Sequence, residues 1–274
     1  MKKRNLTKLN IALSPCPNDT FLFYAWLHNK VSSTLQAQPT YADVEQLNIW
    51  AREGTFALTK LSFAAYLEVR QHYLFLPVGA ALGFGVGPKL IAKKPIALKK
   101  LKKIAFPGPL TTAHLLFDRL LGVSVEKHFC RYDQICDLVI SGKVDAGLVI
   151  HETRFTFPQK GLVELLDLGA VWESQTNLPL PLGGIAMHRD TTQQQAAVIT
   201  LQASLRYAQQ HTPETLPFLL THAQEKDVAV VLKHVNTYIT EESMNLSTQG
   251  IAAIENLLQL PKEEWLYTES LLQV

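Results

Sequence analysis

Val144-Asp145-Ala146-Gly147-Leu148-Val149-Ile150-His151-Glu152-Thr153-Arg154-Phe155 is the stretch whose reading decides the fold. Its apolar run, Ala146 to Ile150, reads as a strand buried on both faces, the pattern of a parallel sheet. The run stops at His151 and Glu152. In open α/β sheets, ligands bind in the crevice beyond the carboxyl ends of the strands. A histidine there stands on a rigid strand, faces the crevice and titrates near neutral pH, which makes His151 the candidate general base. The competing reading is a strand-end histidine that only caps a neighbouring carbonyl.

Upstream, the chain reads as repeated strand–turn–helix units. Asn10 to Leu13 is an apolar strand, and it enters Ser14-Pro15-Cys16-Pro17-Asn18-Asp19-Thr20, whose prolines fix φ and whose Asn/Asp pair can cap a helix from Phe21 to His28. Asp19 is a helix cap or a ligand contact. Gln38 to Tyr41 predicts a second strand, and Asp43 and Glu45 place acid at the positive end of the next helix. Phe56 to Lys60 predicts a strand that turns at Leu61-Ser62 into a helix reaching about Val69. That turn joins a strand's carboxyl end to a helix's free N–H groups, with Ser62 as a hydroxyl. Lys60 is either a surface lysine or a cation held at the same crevice rim as His151.

Leu74 to Val78 predicts another strand, followed by Gly79, Gly83, Gly85 and Gly87. A dinucleotide fingerprint needs a helix after the glycines, yet the chain returns to a strand at Lys89 to Ala92. These glycines instead permit tight turns or a close backbone approach near a ligand. The pattern restarts with a strand from Lys103 to Pro107, and Thr111, Thr112 and Ala113 open a helix running from His114 to Leu121. Paired threonines at a helix start offer hydroxyls and N–H groups to a carboxylate or phosphate, one of them serving as the N-cap. A helix from Asp133 to Ile140, ended by Gly142, precedes the His151 strand. Strands at Leu162 to Leu168 and Ile185 to His188 follow, then helices at Ala196 to Gln210, Thr215 to His222, Asp227 to Val235 and Leu246 to Leu258. Crossings at 93–97 and 177–184 predict a discontinuous domain (1–94 with 184–274), an inserted domain (95–183) and a cleft between them.

Composition removes several classes of function. A net charge of +2 gives no general drive toward nucleic acid or acidic lipid, and the lysines of 93–103 lack interleaved aromatics. No apolar run approaches the roughly 18 residues of a membrane span. Lys2, Lys3 and Arg4 resemble a signal-peptide n-region, but the apolar run after them is broken by Asn10 and ended by Pro15. Cys16, Cys130 and Cys136 fit no common zinc spacing and read as reduced thiols. A cytoplasmic location is expected.

Six separated motifs then carry a resemblance. Ser14 to Phe21, Thr59 to Ser62, Ala80 to Pro88, Pro107 to Ala113, Ile150 to Phe155 and Leu178 to Gly183 together resemble the 1,4-dihydroxy-6-naphthoate synthases, menaquinone-pathway enzymes of the futalosine route. The match runs in the same order along nearly the whole chain, the C-terminal helices matching only in pattern. It implies a two-lobed, periplasmic-binding-protein-like (type II) α/β fold with an interdomain cleft. It further implies a carbon–carbon lyase that cleaves cyclic de-hypoxanthine futalosine to 1,4-dihydroxy-6-naphthoate and dihydroxyacetone, with no metal and no organic cofactor. By the resemblance the catalytic base falls on His151, and the substrate-binding turns fall on Lys60-Leu61-Ser62 and Thr112-Ala113. Asp19 lies in the family's first loop. Phe84 and Pro109 depart from the pattern, standing where many relatives carry a basic residue. The expected partner is a small-molecule carboxylate, handled by a monomer or homodimer. Two alternatives remain open: chorismate dehydratase of the same pathway, and a non-catalytic small-molecule binding protein.

Overall fold

The computed structural model describes residues 6–268, so Lys2, Lys3 and Arg4 lie outside the described residues. In the first half of the chain lie β1 (Thr7–Leu13), α1 (Pro17–Leu27), β2 (Leu35–Tyr41), α2 (Val44–Arg52), β3 (Leu58–Ser62), α3 (Phe63–Val69), β4 (Tyr73–Phe75), β5 (Ala81–Gly83) and β6 (Lys89–Ala92). Next come β7 (Lys103–Phe106), α4 (Thr112–Leu121), β8 (Glu126–Phe129), α5 (Ile135–Ser141), β9 (Ala146–Val149), α6 (Thr153–Thr156), β10 (Val163–Asp167), α7 (Leu168–Thr176) and β11 (Leu180–His188). The C-terminal part is helical: α8 (Gln194–Gln210), α9 (Thr212–His222), α10 (Val228–Tyr238), α11 (Glu241–Met244), α12 (Thr248–Leu258) and α13 (Lys262–Trp265).

The strands form two mixed sheets. In the first the order is β2-β1-β3-β11-β4, with β5 also on β11; β1 is parallel to β2 and β3, and β11 is antiparallel to β3. In the second the order is β10-β6-β9-β7-β8. β9 is parallel to β7 but antiparallel to β6, so the expected all-parallel setting holds on one edge only. Both faces of β9 are nevertheless covered. Ala146 and Leu148 join a core with Phe106 and Phe117, while Val149 joins Ile135 and Val139 of α5 on the other side. Gly147 permits that approach, because a Cβ there would sit 2.3 Å from a methyl of Ile135.

Two expectations are corrected by pairing. Residues 89–92, placed in the first domain from the sequence, form β6 of the second sheet, paired with β9 and β10. The crossing is therefore the glycine-rich segment after β5, not 93–97. On the return, Leu180 to Gly184 are already part of β11, with a register shift between Pro181 and Gly183 where proline lacks a ladder donor. The first helix also begins earlier than Phe21: Pro17 takes the first helical position, where its missing N–H costs nothing, with Cys16 as N-cap. Asn18 and Asp19 are thereby held in a helical turn instead of a loop.

A second core packs α1, α8 and α10 on the first sheet through Leu22, Phe23, Trp26, Leu201, Leu205 and Val231. Each fully buried large apolar side chain contributes about 1.5–3 kcal/mol relative to exposure. Among the described residues no helix is long and apolar enough to cross a membrane.

Candidate active site

Four strand ends and two helix starts meet in one cleft. β1 delivers Ser14 and the first turn of α1, β3 delivers Lys60, Leu61 and Ser62, and β9 delivers Ile150 and His151. β7, like β9 a strand of the second sheet, leads to Thr111, Thr112 and Ala113 at the start of α4, while β11 of the first sheet contributes Leu182 and Gly183. All eight residues singled out from the sequence therefore line one cleft: Asp19, Lys60, Leu61, Ser62, Thr111, Thr112, Ala113 and His151. Counted out to its open mouth, the void is about 670 Å3, within the size of small-ligand sites.

His151 terminates β9 in the left-handed region, at φ 54°, which is uncommon for a residue with a side chain and turns the ring away from the strand line. Its Nδ1 lies 3.3 Å from Cys16 Sγ, and Tyr132 packs edge-on to the ring at 4.8 Å between centroids. Nε2 has no hydrogen-bond partner among the described residues. Burial, and then the charge of Lys60, lower the pKa of His151 from 6.5 to about 4, so the imidazole is neutral at pH 7.

The lysine is not on the surface. Lys60 Nζ lies 3.1 Å from Asp19 Oδ1, with both side chains all but excluded from water. Asp19 also accepts from the Ser14 N–H (3.3 Å) and from Asn18 Nδ2 (2.9 Å). Burial raises the Asp19 pKa and the Lys60 charge opposes it. Asp19 is thus not the N-cap of α1, a place taken by Cys16; it is the counter-ion of Lys60 on the cleft lining.

The hydroxyls are also partly committed. Thr111 is the N-cap of α4, accepting from the His114 N–H at 3.3 Å. Thr112 Oγ1 accepts from the Ala64 N–H (3.2 Å) and donates to the Leu182 carbonyl (2.6 Å), stitching α4 to α3 and β11. Ser62 Oγ accepts from Asn48 Nδ2 at 3.1 Å, while the Ser62 N–H donates to Asn48 Oδ1 at 3.0 Å. What the cleft offers an anion is therefore the Lys60 ammonium, the proton of Ser62 Oγ and the first N–H groups of α4.

Comparison with known proteins gives this geometry its setting. Residues 9–263 match the family model described as menaquinone biosynthesis. The chain belongs to the menaquinone biosynthesis family. It is 44% identical to the 1,4-dihydroxy-6-naphthoate synthase of Thermus thermophilus, the match covering 91% of this chain and 92% of that protein. With the enzyme of the same name from Streptomyces coelicolor it shares 38% identity over 91% of each chain. A Candida albicans protein described as having the generic periplasmic binding protein fold superposes with a TM-score of 0.66 at 12% identity, covering 97% of this chain and 93% of that one. That likeness concerns the fold alone: the protein has a periplasmic-binding-protein-like architecture.

Within this menaquinone biosynthesis family chain, several site groups carried no assignment from the sequence. Glu152 is buried, and burial raises its carboxyl from 4.5 to about 7. His234 Nδ1 lies 3.9 Å from Glu152 Oε2, too far for a hydrogen bond, and its Nε2 lies 2.9 Å from Asn18 Oδ1. Tyr238, one helical turn on, lines the cleft and packs on the His234 ring at 4.6 Å. The spacing of His234 and Tyr238 on one face of α10 was the available signal. Donor atoms of Cys16, His151 and Glu152 lie within 4.8 Å of one another and could hold a metal ion. Phe84 and Pro109, read from the sequence as departures from the family pattern, are both exposed and outside the cleft lining.

Proposed function

We propose that this chain is a carbon–carbon lyase that cleaves cyclic de-hypoxanthine futalosine to 1,4-dihydroxy-6-naphthoate and dihydroxyacetone, with His151 as general base. The observation that carries the reading is a neutral imidazole at the cleft wall with its Nε2 unpartnered among the described residues. Relatives named 1,4-dihydroxy-6-naphthoate synthase, at 44% and 38% identity, support the substrate class.

Releasing a three-carbon ketone requires a proton to leave and negative charge to build on oxygen as the carbon–carbon bond breaks. In the tautomer where Nδ1–H donates to Cys16 Sγ, Nε2 presents a lone pair and accepts that proton. The substrate carboxylate is assigned to Lys60, Ser62 and the first N–H groups of α4, which line the same cleft. Its arrival offsets the Lys60 charge, one of the two causes of the low His151 pKa, and so strengthens the base when substrate is present. Val86, Pro88 and Leu182 supply an apolar wall for an aromatic ring.

The test is incubation of the purified chain with the cyclic futalosine derivative, and separately with chorismate, followed by mass spectrometry. Naphthoate and dihydroxyacetone in the first reaction, with chorismate unchanged, is the expected result. Dehydration of chorismate, or binding without turnover in both, rejects the reading.

A further inference from the structure

We infer that Cys16, His151 and Glu152 form a binding site for one thiophilic divalent cation, Zn2+ being the best match. That occupancy switches off the base, a consequence that rests on the function proposed above. The three residues offer one sulfur, one nitrogen and one oxygen within 4.8 Å of one another, from two segments of chain, the start of α1 and the end of β9. Zinc bonds of about 2.0–2.3 Å in tetrahedral array put donors roughly 3.5 Å apart. The 3.3 Å between Cys16 Sγ and His151 Nδ1 already meets that spacing, so only the Glu152 carboxylate has to swing inward, by about an ångström.

The surroundings of Glu152 point to a cation there. Glu152 is 4% exposed, and neither carboxylate oxygen has a hydrogen-bond partner among the described residues. Asn18 Nδ2 donates to Asp19 Oδ1, so Asn18 Oδ1 must accept from the Nε2–H of His234. His234 Nδ1 then turns a lone pair toward Glu152, and this neighbour supplies no donor to the carboxylate. A buried carboxylate without donors is costly, and a bound cation removes that cost. Charge also balances: the Cys16 thiolate and the Glu152 carboxylate neutralise a dication, while Lys60 is already matched by Asp19 at 3.1 Å. Binding expels the thiol proton and any proton on Glu152. Coordination of Nδ1 leaves the His151 proton on Nε2, the atom that has to accept one.

The experiment is a titration of the metal-free full chain with Co2+, read by thiolate-to-cobalt charge-transfer absorption, and then displacement by Zn2+. One equivalent is expected. Cys16→Ser should abolish the band, Glu152→Gln should weaken Co2+ binding at least tenfold, and the Cys130→Ser/Cys136→Ser double variant should keep both. Turnover should be inhibited by Zn2+, restored by a chelator, and in Cys16→Ser should need at least tenfold more Zn2+. A band that survives Cys16→Ser, one lost with Cys130 and Cys136, binding indifferent to Glu152→Gln, or no band at millimolar Co2+ overturns the site. The spectroscopic readouts need no substrate. Failure of the base assignment would appear separately, as metal-free activity persisting in His151→Asn.

Discussion

Lys60 and Asp19 form an ion pair of 3.1 Å in which the side chains are only 8% and 1% exposed, at the junction of β3 and α1. Such a pair adds little net stability, because desolvation offsets the attraction, but removing one partner strands the other. Lys60→Met is therefore expected to cost about 3–5 kcal/mol in urea unfolding. Lys60→Met combined with Asp19→Asn should recover most of that loss. A double variant no more stable than the single one would show that Asp19 is not what suffers.

Glu152 and His151 make opposite demands on pH. The folded pKa of His151, about 4, lies below its ordinary 6.5, so its contribution is complete above 6.5 and is lost as pH falls through 4. Glu152 is raised from 4.5 to about 7, so its contribution is complete below 4.5 and is lost as pH rises through 7. Between 4.5 and 6.5 the two slopes oppose, and His234, also lowered by burial, adds to the histidine side. Glu152→Gln removes the opposing slope. Its stability should fall on acidification more steeply than that of the parent, by about 1.4 kcal/mol per pH unit across that window. Parallel stability–pH curves would place the Glu152 pKa near its ordinary value.

The backbone of His151 selects the informative substitution. At φ 54° a β-branched residue is strained, whereas asparagine tolerates the left-handed region. His151→Asn should therefore fold with a Tm within a few degrees of the parent while turnover drops at least ~100-fold, the lower range for losing a general base. His151→Val should lose stability as well as activity. Near-parental turnover in His151→Asn removes the base assignment.

Much of this was legible in the sequence because apolar runs and helix starts are local signals. The end of the β9 stretch, the Ser62 turn and the Thr111-Thr112 start all line one cleft. Sheet membership was not legible at Lys89 to Ala92, since a four-residue strand pairs with β9 from 54 residues away or more and leaves no local trace. Glu152 and His234 were missed for the same reason: one sits beside the obvious histidine, the other on an ordinary amphipathic helix, and only tertiary packing brings them together. The short strand β8, with no fully buried residue, and helix α7 lack the periodicity that would announce them.

Gly87 offers a test of how the crossing into the second sheet is held against α7. A Cβ on Gly87 would lie 2.2 Å from the Gly169 nitrogen and 2.9 Å from Asp167 Oδ1, the oxygen that caps α7 through that same N–H at 2.8 Å. Nothing flexible stands there to give way, so Gly87→Ala must push backbone from backbone and loosen the cap. Over-packing costs about 1–3 kcal/mol and a lost cap about 1 more. Gly85, two residues earlier, is the control. It has the left-handed φ of 68° but open space where a Cβ would go, so Gly85→Ala should cost only about 1–2 kcal/mol. The expected order is thus the reverse of what backbone angles alone predict, and because Val86 and Pro88 line the cleft, Gly87→Ala should also raise KM. If Gly85→Ala proves the more damaging of the two in denaturant unfolding, the Gly87–Gly169 contact does not hold the crossing in place.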